Sequence, residues 1–111
     1  MEYACGNVFI REMVLDRAGQ VVDGHAHNFD HTTYCARGSM RVDRLADDGG
    51  VVDQVELRAD APVKAWVLIK AGVRHRITAL QDGTIGHCIY AHRTPQGDVV
   101  QAYTGWAPGY E

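Results

Sequence analysis

Apolar and polar residues alternate along this chain in short runs, and turn residues interrupt the runs about every ten positions. VFIREMVL is followed by DRAGQVV, where Gly19 marks a turn. RVDRLADDGGVVDQVEL has strand-like ends around Asp47-Asp48-Gly49-Gly50, a strong hairpin signal. APVKAWVLIKAG opens at Pro62, continues through β-branched and aromatic residues, and stops at Gly72. TIGHCIYAHR alternates up to the turn TPQGD, after which VVQAYTGW resumes an extended pattern. Apolar residues do not recur at the three-and-four spacing of a helix, with residues 12–17 the ambiguous exception. The pattern predicts an all-β sandwich or barrel, with an irregular tail from Gly105 to Glu111.

Length and composition narrow this picture. The 111 residues, 46% of them hydrophobic, are enough for one core, and the expectation is a single domain over residues 1–111. The formal charge is -3 and Lys and Arg form no run, so no basic surface for nucleic acid is expected. No apolar stretch approaches the ~20 residues that span a bilayer. The N-terminus lacks the basic start and apolar run of a signal peptide. Three scattered cysteines, Cys5, Cys35 and Cys88, make no disulfide framework, and a reducing cytoplasm is the expected setting.

One stretch changes the picture more than any of these. GHAHNFDH puts three of the six histidines within seven positions, flanked by Asp23 and Asp30. In a strand, residues two apart share a side at about 6.6 Å between Cα atoms, so His25 and His27 can converge on one ion. His31 lies roughly 13 Å past His27 along a straight strand. It joins them only if the chain bends at Asn28-Phe29-Asp30 and His31 starts the returning strand, a bend that Asn and Asp favour. A single histidine is more often a surface or core residue, and His-x-His alone is a weak sign of metal. The third histidine raises the metal reading to equal weight. LIKAGVRHRI offers a further ligand, His75, just after Gly72, with Arg74 and Arg76 facing away by alternation.

At these residues the sequence resembles the cupins. Gly19, five residues, His25-Ala26-His27, three residues, His31, six residues and Gly38 reproduce the spacing of the first cupin motif, with histidine where glutamate is usual. Gly72, two residues and His75 keep the core of the second motif, although Lys70 replaces its proline and Ala79 its asparagine. The resemblance implies a small jelly-roll (cupin) β-barrel with His25, His27, His31 and His75 around a divalent transition metal. Four neutral imidazoles leave the ion's charge at about +2 and suit Fe, Zn, Ni or Cu, with Mn also considered, over Mg or Ca. Its similarity to cupin dioxygenases that lack the glutamate points to iron-dependent oxygenation of a small molecule. The alternative is a non-catalytic module that binds a metal and a ligand.

Cys88, Tyr90 and His92 share one face of a strand by alternation, so Tyr90 and His92 are candidate catalytic groups that orient substrate or act as general acid. The plainer reading makes His87 or His92 a surface or interface residue and Cys88 packing. Cys35 shares parity with His31, and Trp66 is expected in the core or a dimer contact. Asp23 and Asp30 are candidate partners for imidazole N–H groups, although turn capping explains Asp30 equally well. Apolar VFIREMVL and the aromatic tail lead us to expect a homodimer.

Overall fold

The turn at Asp47-Asp48-Gly49-Gly50 closes as its composition predicts. The Ala46 N–H donates to the Gly50 carbonyl at 2.7 Å, and Gly49 takes φ 87°, a conformation glycine adopts without a Cβ penalty. It joins two of nine strands found among residues 2–27, 29–61, 64–91, 93 and 95–97, which the computed structural model describes. In chain order these are β1 (Glu2–Cys5), β2 (Val8–Leu15), β3 (Val21–His25), β4 (His31–Arg37), β5 (Ser39–Leu45), β6 (Val51–Arg58), β7 (Trp66–Ile69), β8 (Arg74–Ala79) and β9 (Thr84–Ala91). The ambiguous segment from residue 12 is thus strand as far as Leu15. VVQAYTGW, the tail from Gly105 and His92 lie outside the described residues.

All neighbouring strands pair antiparallel, in a five-stranded sheet ordered β1-β2-β9-β4-β7 and a four-stranded sheet ordered β3-β8-β5-β6. With β1 set aside as an added edge, this is the strand order of an eight-stranded jelly roll. Alternation sorts the faces. On β9, Thr84, Gly86, Cys88 and Tyr90 point inward and are buried, while His87 faces out and bonds Glu12 at 2.9 Å. Met13, Leu15, Cys35, Met40, Val42, Leu57, Ile69 and Ile77 fill the space between the sheets.

Gly38, the last glycine of the first motif, turns the chain from β4 into β5 and so from one sheet to the other. It has φ 77°, and a Cβ there would lie 2.6 Å from Thr84 Oγ1, so conformation and space both require glycine. One expectation fails in part. Trp66 is 55% exposed on the outer face of β7, so it is no core residue. Alternation gives the inward positions of this short edge strand to Val67 and Ile69 instead.

Candidate metal centre

The histidines meet where the chain crosses between the sheets. β3 ends at His25, so His27 lies beyond the strand rather than in it, and the His25–His27 alternation expected of a strand does not apply. The backbone leaves the four-stranded sheet there in order to reach the other one. His31 begins β4, the return that the bend at 28–30 was expected to make. His75 is the second residue of β8 and the direct partner of His25 in the β3–β8 register. The side chain of His25 lies outside the described residues.

His27, His31 and His75 are 4%, 2% and 1% exposed, and one ligating nitrogen from each lies within 4.8 Å of the others. Ring centroids are separated by 4.7 Å for His27–His31, 5.1 Å for His31–His75 and 5.4 Å for His27–His75. A metal holding nitrogens at ~2.1 Å sets neighbouring donors roughly 3.0–3.4 Å apart, so modest side-chain rotations close the set. His75 Nδ1 lies 3.0 Å from the Val73 carbonyl. A carbonyl only accepts, so Nδ1 is the donor, and Nε2 is the nitrogen that could ligate a metal. For His75 the orienting partner is thus a backbone carbonyl.

Asp30 does different work. Its Oδ1 accepts the Ala71 N–H at 2.8 Å and its Oδ2 accepts from Lys70 Nζ at 2.9 Å. The Ala71 N–H, then Lys70, hold its carboxyl below the usual carboxylate range. The Gly72 N–H donates to the His27 carbonyl at 2.8 Å. Together these bonds clip the β7–β8 turn, which presents His75, onto the crossing that presents His27 and His31. Arg76 turns to the outer face, as alternation predicted, and bonds the buried Asp43 at 2.9 Å.

Phe29 was not singled out in the sequence. It is 9% exposed and stacks on His27 at 4.8 Å and 25°, with Tyr90 on it at 4.3 Å. An apolar residue inside the polar bend HNFDH was the available sign that this bend folds inward. Tyr90 faces the interior with a buried hydroxyl and packs also on Phe9 at 5.0 Å. Cys88 lies in the core, where burial pushes its thiol up to about 11, and burial raises Cys35 as well. All three cysteines are free. The buried pair therefore packs as neutral thiols and offers no ready thiolate.

No family model and no curated protein matches the sequence. Solved structures do match the fold. Coconut allergen cocosin aligns with TM-score 0.64 and 21% identity, covering 89% of this chain and 23% of that one. A variant of Bacillus subtilis oxalate decarboxylase gives 0.65 and 20%, covering 89% and 24%. A Neisseria meningitidis protein gives 0.59 and 16%, covering 82% and 81%. The chain thus spans about a quarter of the first two and most of the third. The fold is the cupin jelly roll, and three buried histidines sit together inside it. No helix among the described residues is long and apolar enough to cross a membrane.

Proposed function

We propose that this chain is a mononuclear metal protein of the cupin fold, with His25, His27, His31 and His75 holding one divalent transition metal. Iron is the first choice, with Zn, Ni, Mn or Cu as alternatives, and the activity proposed is that of an iron-dependent dioxygenase or a related small-molecule enzyme. The observation that carries the reading is the convergence of His27, His31 and His75, three buried imidazoles within 4.8 Å. Iron, when bound, would supply Lewis acidity and one-electron chemistry to the substrate.

The chain's own residues do the rest. The Val73 carbonyl fixes the tautomer of His75, and Phe29 shields the face of His27 from water. Tyr90, which packs on Phe29, and His92, two positions on in the sequence, are the groups proposed to orient a substrate or act as general acid. Oxalate decarboxylases with this fold support an enzymatic reading; cocosin, equally similar, is named only as an allergen.

Elemental analysis of the reconstituted protein should find about one divalent metal per chain. Oxygen uptake by the iron-loaded protein should then appear with one of a panel of thiols, diketones and phenolic acids. Substoichiometric binding of every first-row metal would remove the centre. Full occupancy without uptake would favour the non-catalytic module.

A further inference from the structure

A charged pair, Arg44 and Asp53, with side chains 52% and 60% exposed, lies on the four-stranded sheet beside His75. In register, Arg44 on β5 stands opposite His75 on β8 and Asp53 on β6, while two residues along, Val42 stands opposite Ile77 and Val55. Between these strands and β7 opens a cleft of about 390 Å³, with Val42, Val55, Val67 and Ile69 as its apolar walls and Arg44, His75, Asp43 and Asp53 also lining it; Asp53 is taken by Arg44 and Asp43 by Arg41 and Arg76. That volume falls in the range of small-molecule sites, which combine apolar walls with a few placed polar groups.

Arg44 is held in a defined pose. Its Nε donates to Asp53 Oδ1 at 3.1 Å and its Nη2 to Oδ2 at 2.7 Å. Asp53 thus takes two of the five guanidinium N–H donors along one edge, and the other edge has the spacing of a second carboxylate. The Arg44 hydrogen bonds hold the Asp53 carboxyl below its usual range, so this brace stays ionised at neutral pH. Lys70, also on the lining, is already matched by Asp30.

We propose that this cleft binds a small monocarboxylic acid with an aliphatic or aromatic body. Its carboxylate lies on the second edge of Arg44, and its body lies against Val42, Val55, Val67 and Ile69. The proposal names the ligand class of the metal centre described above. It rests on that reading for one contribution, the attraction of an anion by a divalent ion behind His75. The Arg44 fork and the apolar walls are present without metal.

The test is an NMR titration of the metal-free protein with benzoate, and with benzyl alcohol as the uncharged analogue. Benzoate should give saturable shifts at the Arg44 Nε–H and at the methyls of Val42, Val55 and Ile69, with benzyl alcohol at least about tenfold weaker. Arg44→Met should weaken benzoate binding about tenfold or more, the scale of a lost charge-assisted pair. Arg58→Met removes the same charge from the far end of β6 and should leave the affinity unchanged. Retained amide spectra verify the fold of both variants. No saturable shift with benzoate, equal binding of the alcohol, or equal losses in the two variants would overturn the proposal. Repeating the titration with Co(II)-loaded protein, and with His75→Ala, separates the two readings. A protein that takes no Co(II) yet binds benzoate through Arg44 keeps the cleft and loses the centre; the reverse keeps the centre alone.

Discussion

At the scale of single residues, His31 is where the sequence departs from the first cupin motif, and its 2% exposure makes the departure testable. If it is a ligand, His31→Ala deletes a donor. Loss of an orienting partner around a metal ligand already costs about 10–100-fold in affinity, so loss of the ligand should cost at least ~100-fold. His31→Glu should restore binding, since a carboxylate oxygen coordinates at ~2.0–2.2 Å, but should weaken an anionic ligand by lowering the site's charge one unit. Titrations with Fe(II) or Co(II) decide it, and equal affinity in wild type and His31→Ala would remove His31 from the set. Cys88 gives a pH prediction. Burial raises its thiol to about 11 from an ordinary 9.0, so the native state holds this proton where the unfolded chain releases it. Its contribution to stability is therefore complete below pH ~9 and declines as pH climbs toward 11. Iodoacetamide at pH 8 should modify exposed Cys5 and leave Cys88 untouched until the protein unfolds; rapid labelling of Cys88 in the native state would contradict the buried placement.

At the scale of elements, the outline was legible and the joints were not. Alternation and turn residues located the β5–β6 hairpin, the start of β4 at His31 and the start of β8 near His75, because these depend on local sequence. The end of β3 before His27 was hidden, since it depends on which sheet the next strand joins. The same holds for Phe29, and for Arg44 with Asp53, which meet His75 only through the cross-strand register of β5, β6 and β8. Asp30, in sequence a candidate for capping or orienting, ties together two elements 41 positions apart. That bond yields a prediction specific to the element. Asp30→Ala should free the β7–β8 turn, speed hydrogen exchange at the Ala71 amide, and weaken metal binding about tenfold by loosening the placement of His75. Unchanged exchange at Ala71 together with unchanged metal affinity would show that the turn holds its position without the clip.

At the scale of the whole molecule, the outer face of the five-stranded sheet stands out. Val8 and Val14 on β2, Tyr34 on β4, and Trp66 and Leu68 on β7 are each between 36% and 55% exposed. Register carries this face across the sheet, pairing Val14 with Ile85, Tyr34 with both His87 and Trp66, and Thr32 with Leu68. His87 and Glu12 hydrogen-bond to each other within this face at 2.9 Å. The strands β2, β9, β4 and β7, ~4.8 Å apart and rising ~3.3 Å per residue, cover roughly 430 Å² in projection, and the accessible area of protruding side chains is larger. A standard interface takes ~800 Å² from each partner, so this surface is of the right order. Exposed apolar side chains grouped on one face are a common mark of interaction sites. We therefore propose that two copies of the chain pack these faces together about a two-fold axis, an arrangement in which one patch serves both partners. Light scattering at low micromolar concentration should report twice the 12.2 kDa of the chain. Leu68→Glu would set like charges into the contact and should yield the single-chain mass, while any metal binding at the buried His27, His31 and His75 should be unchanged. A wild-type mass of one chain, or a Leu68→Glu protein that remains dimeric, would move the interface elsewhere.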